Sequence, residues 1–346
     1  MLQTTKANQA NESFALKKLK GIKPKGVKTK YTTPLELITK AGNKLINDIK
    51  SRELSHLVDC INVVPEFNQA YLRVKDFVDH NLPDLDFTVD DLKSYILAHS
   101  KVDLPSRNAP LGLYTGVLLS LLCMQNKEKG ERTIFCMDGQ GEYFPYLFFL
   151  ANQVDVLALN NWKGDCICRG VAGFGGQANM VIGSNLESID GFRDMGCEGG
   201  SSGLVIAKEG NQTVDIWLNS LLAVSSGYSD LLIVDNFKGI LFAGKEDNNP
   251  ATKFLWTSSA AEQSDLSTEK YIELITVARK DLETNHLKNI TFVDKYYPEQ
   301  VENYKKNFKV REMLNLVDKL NSEPENKQVE TVLQLEKIYK EVKYLE

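Results

Sequence analysis

The sequence predicts an α+β protein in which a short β-solenoid of about four to five coils lies between two helical regions. The first observation is a repeat: the segment that begins at Gln153 aligns with the segment that begins at Gln177, and 24 positions match well. The second is a strand-like aliphatic run that recurs in each repeat. The third is the helical spacing of apolar residues before and after the repeats.

These observations divide the chain into four regions. Residues 1–31 are predicted to be a basic, largely disordered arm, because they contain eight Lys and one Glu and few apolar residues. Residues 32–128 are predicted to be helical, 129–258 to form the β-solenoid, and 259–346 to be helical again. The apolar segment 111–125 is predicted to be a buried helix that caps the first coil, because the backbone edge of that coil would otherwise be open.

Three helices are predicted before the capping segment. The first begins at Thr33-Pro34, because Thr is a favourable N-cap and Pro suits the first helical position. The second covers 65–80, where apolar residues recur at helical spacing. The third begins after Thr88, which forms a capping-box pattern with Asp91, and continues to about residue 99.

The repeats contain two aliphatic columns that alternate along the strand and are predicted to point into the coil and stack. They are Val156, Met180, Leu204 and Leu231, and Ala158, Ile182, Ile206 and Ile233. The column between them is predicted to face outward, yet it is also aliphatic: Leu157, Val181, Val205 and Leu232. A strand that is apolar on both faces is buried on both faces, so helices from a flanking region are predicted to cover this sheet from outside.

Each strand of the repeat ends at a polar corner residue. The predicted corner column is Asp138, Asn161, Asn185, Glu209 and Asn236. Asn and Asp tolerate the left-handed backbone of a tight corner, and stacked Asn side chains can hydrogen-bond to one another. The column resembles the asparagine ladder of right-handed parallel β-helix proteins. This resemblance covers roughly a third of the chain and implies the architecture alone, a short right-handed parallel β-helix.

The repeat ends after Gly244, and the chain is predicted to return to helix. Phe254-Leu255-Trp256 is predicted to form a last strand or a plug on the final coil. Three amphipathic helices follow over 268–284, 298–320 and 326–344, without heptads long enough for a coiled coil.

Composition and charge are typical of a soluble protein without a membrane span. The net charge is −5; residues 1–31 carry eight Lys and one Glu, or +7, which leaves −12 for the remainder. Six Cys lack the dense spacing of a disulfide framework, and the N-terminal segment lacks the apolar stretch of a secretory signal. The longest apolar run, 110–124, is short for a bilayer span. We therefore predict a cytoplasmic protein without a cofactor.

An acidic cluster follows the Asn corner in two adjacent coils. Asp165, Asp190 and Asp194 are its candidate catalytic residues, because paired carboxylates in a cleft can catalyse sugar hydrolysis. Residues one coil apart are close in any solenoid, however, and Arg169 and Arg193 stack in the same region. A solvated or arginine-neutralised charged face is the simpler interpretation.

Cysteine and glycine motifs in the repeats have structural interpretations. Cys166 and Cys168 share a face and are predicted to fill the core, because the repeats contain no His that could act as a base. No metal site is predicted, since no four suitable ligands converge. Gly175-Gly176 and Gly199-Gly200 are one coil apart and indicate repeated tight corners rather than a phosphate-binding loop.

Two sets of residues are candidates for partner contact. Trp162 and Phe237 occupy equivalent positions just after the corner, each followed by Lys-Gly, where they could bind a partner or pack under a covering helix. The basic arm could bind nucleic acid. Its candidate residues are Lys17, Lys18, Lys20, Lys23, Lys25, Lys28 and Lys30.

The leading functional hypothesis is a non-catalytic binding or scaffold protein, in which a rigid solenoid and helical arms contact a protein partner or a second copy of the chain. The alternative is a carbohydrate-active hydrolase or lyase that uses the acidic face. A weaker alternative is nucleic-acid binding through residues 1–31. The sequence leaves open whether the protein is an enzyme.

Overall fold

A computed structural model gives the fold of the chain. It describes residues 32–50, 67–83, 85–100, 105–188, 191–192, 194–196, 199–211, 228–238, 252–257, 290–293 and 306–343. The predicted basic arm and the predicted helix 268–284 lie outside the described residues.

In the described part of the chain, four helices precede the sheet: α1 (Pro34–Lys50), α2 (Phe67–Asn81), α3 (Val89–His99) and α4 (Pro105–Glu128). The predicted capping box starts α3, because the Thr88 hydroxyl accepts the Asp91 N–H and the Asp91 carboxylate accepts the Thr88 N–H. None of the described helices combines the length and the apolar character that crossing a membrane requires.

The strands form one parallel sheet in sequence order. They are β1 (Ile134–Asp138), β2 (Gln153–Asn160), β3 (Gln177–Ser184), β4 (Ser201–Asn211), β5 (Tyr228–Lys238), β6 (Thr252–Thr257) and β7 (Ile290–Val293). Gln153 pairs with Gln177, and Gln177 pairs with Ser201, so the register shift is the 24 residues of the sequence repeat. The predicted columns are therefore columns of the sheet, although β7 lies in a region predicted to contain only helices.

The strands belong to a parallel β-solenoid of about three turns, not the four to five predicted. The return paths from β1 to β2 and from β2 to β3 are described throughout, and the path from β3 to β4 is described in part. The prediction counted one coil for each strand repeat, but a complete turn also needs a return path, which a strand pattern does not reveal. From β4 onwards the connections between strands lie outside the described residues.

Each return path contains stacked turns with a run of alternate residues in the left-handed backbone conformation. In the first path these residues are Tyr146, Phe148 and Leu150, with φ of 60°, 57° and 56°. Their amides bond to the next path: the Tyr146 N–H donates to the Asp165 carbonyl at 2.5 Å and the Leu150 N–H to the Arg169 carbonyl at 2.9 Å. These bonds satisfy the buried backbone and offset the cost of the unusual conformation.

The face assignment of the strands is the reverse of the prediction. Leu157, Val181 and Val205 belong to the core that includes Phe148 and Phe192 of the return paths, so this column points into the solenoid. The columns that contain Val156 and Ala158 point outward instead. The alternation of residues along a strand shows only that adjacent side chains face opposite sides of the sheet. Because both sets of side chains are aliphatic, the sequence could not show which set points into the solenoid.

Two C-terminal helices cover the outward columns: α5 (Val310–Ser322) and α6 (Glu325–Val342). Val156, Ala158 and the residues paired with them form a second core with Val317, Leu335 and Tyr339. The helices predicted to cover the sheet from outside are therefore present, but they cover the columns of Val156 and Ala158 rather than the column of Leu157.

Helix α4 packs against the first return path, through backbone contacts. The Phe148 N–H donates to the Thr115 hydroxyl at 3.1 Å, and the Asn152 N–H donates to the Ser120 hydroxyl at 2.8 Å. Gly116 permits the approach, because a Cβ there would lie 2.2 Å from the Phe149 carbonyl oxygen. The helix is longer than the predicted 111–125, since it starts at Pro105.

The predicted corner column is correct for Asn161, Asn185 and Glu209, which have φ of 53°, 52° and 48°. Asp138 is one position out of this column, because it pairs with Asn160. The first corner is longer than the others: Tyr143 bridges to Lys163, so residues 139–142 oppose only 161–162.

Side-chain amides at the corner form hydrogen bonds to the preceding coil, but not to the residue at the equivalent position. The Asn161 amide donates to Asp138 at 3.1 Å, and the Asn185 amide donates to Asn160 at 2.8 Å. Each corner Asn therefore contacts the last strand residue of the preceding coil rather than the preceding corner Asn. Ser184 in turn donates to Asn321 of α5 at 3.1 Å, which ties the ladder to the covering helix.

Candidate functional site

The predicted acidic residues do not form an open pair in the described part of the chain. Asp194 is buried, and its carboxylate accepts from the Arg169 guanidinium at 3.0 Å. Asp165 lies in the second return path, half-buried, where its carbonyl bonds to Tyr146. Asp190 lies outside the described residues. The arginine-neutralised interpretation therefore fits Asp194, which is enclosed rather than facing a cleft.

The cysteines beside this ion pair are core residues. Cys166 and Cys168 are buried, and Arg169 Nη1 lies 3.8 Å from Cys166 Sγ. Burial raises the pKa of the Cys168 thiol, so this residue is a poor nucleophile. Within the described ranges, no three His, Cys, Asp or Glu residues are placed to hold a metal ion.

The Trp162 side chain is completely buried, which fits the alternative that it packs within the protein. The indole packs against the first corner: a Cβ on Gly139 would lie 2.4 Å from Trp162 Cδ2. Phe237 lies on β5, opposite Gly210, and its side chain is outside the described set. All seven candidate lysines also lie outside the described residues: Lys17, Lys18, Lys20, Lys23, Lys25, Lys28 and Lys30.

A cleft of about 540 Å³ opens where the covering of the sheet is incomplete. Helices α5 and α6 cover the outward face of the sheet, but over β1 a gap remains between α6 and α3. We call it the β1 groove. It is lined by Val89, Asp90, Lys93, Ile134, Cys136, Glu325, Asn326, Gln328 and Val329.

The floor of the β1 groove is apolar and chemically inert. Ile134 and Cys136 are alternate residues of β1 and share its outward face. Burial raises the pKa of the Cys136 thiol to about 12, and the nearby charge of Lys93 lowers it only in part. The thiol is therefore protonated at neutral pH and unsuited to nucleophilic catalysis.

An ion pair joins the two walls of the groove. Lys93 of α3 donates to the Glu325 carboxylate at the start of α6. The Lys93 side chain is only 15% exposed, with its ammonium 5.8 Å from the centre of the Phe135 ring, whereas the Glu325 side chain is 68% exposed. Asp90 adds a second exposed carboxylate to the lining. The charges that a ligand would meet are therefore mainly negative.

The α6 wall carries apolar side chains that no part of the described chain covers fully. Val329 and Leu333 are each 47% exposed and lie one helical turn apart. Their neighbours Val332 and Leu335 are completely buried against the sheet. Helix α6 therefore has two apolar stripes: one packs on the sheet, and the other is half-exposed, with Val329 lining the groove.

Sequence reasoning missed the β1 groove because its lining comes from three segments far apart in the chain. One available signal was the excess of apolar residues on α6, where Val329 and Leu333 widen the stripe beyond what one packed face needs. The geometry gives a shaped surface with an apolar floor and a negative rim. Comparisons with family models, with curated proteins and with solved structures found no match to the chain.

Proposed function

We propose that the protein is a non-catalytic binding protein that presents the β1 groove on a rigid solenoid to a peptide segment of a protein partner. The observation that carries this proposal is the pair of half-exposed aliphatic side chains, Val329 and Leu333, beside an apolar floor. Exposed apolar patches next to a concave, polar-rimmed surface are typical of protein interaction sites.

Rigid walls favour such a role, because a groove that is already formed loses little conformational entropy on binding. The β1 floor is hydrogen-bonded to β2 throughout its length. The α6 wall is anchored by Leu335 and Tyr339 in the second core, and by an ion pair from Arg132 to Glu336 at 3.2 Å. Covering the exposed halves of Val329 and Leu333 would contribute about 0.5–1 kcal/mol each.

The carbohydrate-enzyme alternative receives less support. A glycosidase needs two carboxyl groups about 5–10 Å apart in a cleft. Asp194 is instead buried against Arg169, and the groove has Asp90 and Glu325 on its rim with Glu325 paired to Lys93. The nucleic-acid alternative depends on lysines outside the described residues and gains no support from them.

Peptide selection with the full chain tests the proposed function. A displayed library of random peptides about 12 residues long is selected against the wild-type protein, and binding of the recovered peptides is measured by fluorescence anisotropy. We expect Val329→Asp with Leu333→Asp to weaken binding by about tenfold or more, because a carboxylate in the contact opposes apolar burial.

Leu72→Asp is the matched control, since Leu72 is 48% exposed on α2 and does not line the groove. It should leave binding unchanged, and circular dichroism should show that all variants remain folded. Recovered peptides that bind the Val329→Asp, Leu333→Asp variant as well as they bind the wild type would refute the proposed function.

A further inference from the structure

We infer that the occupant of the β1 groove is a peptide segment that places a lysine or arginine beside its aliphatic or aromatic side chains. This inference rests on the proposed function of the groove and adds the chemistry of the partner. It is carried by the distribution of charge and apolar surface along the groove.

The reachable charges in the groove are carboxylates. Lys93 is the only cation in the described lining, and it is shielded because it is held between the Phe135 ring and Glu325. Glu325 and Asp90 remain exposed on opposite walls. A cationic side chain placed between them would meet two carboxylates and one shielded ammonium, so its interaction is favourable.

Charges that flank the groove do not reverse this balance. On α3, Asp91 adds a further carboxylate, which also caps the helix through Thr88. On α6, Lys327 and Glu330 are both exposed but do not line the cleft, and their opposite charges offset each other. Outside residues 1–31 the chain carries −12, so the wider field also attracts a basic segment.

The apolar surface extends beyond the cleft and favours a peptide over a small molecule. Val329 lines the cleft, but Leu333 lies one turn further along α6. From Asn326 to Leu333 the helix rises about 10 Å, enough for about three residues of an extended peptide or two turns of a helix. The Asn326 side-chain amide makes no hydrogen bond within the described part of the chain and faces the cleft, where it can bind a peptide backbone group.

The experiment measures the charge preference of groove binding with the full chain. Peptides recovered from the random library are expected to be enriched in Lys or Arg next to Leu, Ile, Phe or Met. Replacing that Lys or Arg by Glu in a synthetic copy should weaken binding by about tenfold. Asp90→Lys should weaken binding of the basic peptide by about fivefold, and raising NaCl from about 0.05 M to about 0.5 M should reduce this difference.

Asp76→Lys is the matched control: Asp76 is exposed on α2, and the variant changes the net charge by the same amount. Suppose that the recovered peptides bind the Val329→Asp, Leu333→Asp variant weakly, but that neither Asp90→Lys in the protein nor Lys→Glu in the peptide changes their binding. This result would overturn the inference and leave the proposed function standing. Concentration-dependent dimerisation that Leu333→Asp abolishes would also overturn it, because the occupant would then be a second copy of this chain.

Discussion

Glu209 in β4 occupies the position that corresponds to Asn161 and Asn185, which directly follow β2 and β3, and all three residues have a left-handed backbone. Asn adopts this conformation at lower cost than Glu, because its short side chain bonds locally. We expect Glu209→Asn to raise the free energy of unfolding by about 0.5–1 kcal/mol, measured by urea denaturation. Losing the 3.7 Å contact from Glu209 to Lys208 should cost little, since Lys208 also pairs with Asp318.

Glu131→Asn is the control for this change, because Glu131 is exposed and has no positive φ. It should alter stability by less than about 0.5 kcal/mol. A Glu209→Asn protein no more stable than the wild type would mean that the corner conformation is not a source of strain.

Asp155 near the start of β2 links β2 to the segment that leads into β1 and to β3. Its carboxylate accepts from Arg132 at 2.5 Å and 2.7 Å, from the Thr133 N–H at 3.0 Å and from the Asn179 amide at 2.9 Å. Burial alone would raise the pKa of Asp155, but the hydrogen bonds from Arg132 and Asn179 outweigh it, and the pKa lies below its ordinary value. The charged form is therefore the one that stabilises the fold.

A depressed pKa fixes the direction of the pH dependence. The contribution of Asp155 is complete above its unfolded pKa of about 4 and is lost as the pH falls through the lower folded value. Asp155→Asn should lower the free energy of unfolding at pH 7 by about 1–2 kcal/mol, and this difference should shrink between about pH 4 and pH 2. Urea denaturation across that range measures it, and the exposed Asp86→Asn is the control. A difference that stays constant with pH would contradict the assignment.

At the scale of elements, the sequence predicts which strand residues pair better than it predicts which side of the sheet their side chains face. The 24-residue repeat places Gln153 on Gln177 and thereby determines the register of β2 and β3. It could not tell the interior column of Leu157 from the exterior column of Val156, because helices bury the outer face as completely as the return paths bury the inner one. The β1 groove could not be predicted from the sequence for a different reason: its α3 and α6 walls are separated in the chain by the whole solenoid and come together only in the fold.

Helix α6 offers a matched pair of leucines with separate roles. Leu335 is completely buried against the outward columns, whereas Leu333 is 47% exposed beside the groove. We expect Leu335→Ala to destabilise the protein by about 2–5 kcal/mol through the cavity it leaves, and Leu333→Ala by less than about 1 kcal/mol. Thermal and urea denaturation measure both. Equal losses from the two substitutions would show that Leu333 is a core residue and not part of the exposed apolar surface beside the groove.

At the scale of the whole molecule, the sheet joins the two hydrophobic cores of the described residues. The inner core joins the solenoid interior to α1–α4, and the outer core joins the same strands to α5 and α6. Adjacent strand residues such as Val205 and Ile206 belong to different cores. Strands β2–β4 should therefore be the most protected part of the chain, because their opening requires the loss of both cores.

Hydrogen exchange can test this arrangement with one truncation in each core. Leu118 of α4 is buried in the inner core and Leu335 of α6 in the outer core. We expect Leu335→Ala to accelerate exchange in α5, α6 and β2–β4 but not in α1 and α2, and Leu118→Ala to accelerate it in α1–α4 and β2–β4 but not in α5 and α6. Strands that kept wild-type exchange in either variant would show that the cores are not coupled through the sheet. The groove depends on that coupling, because its α3 wall packs on the inner core and its α6 wall on the outer one.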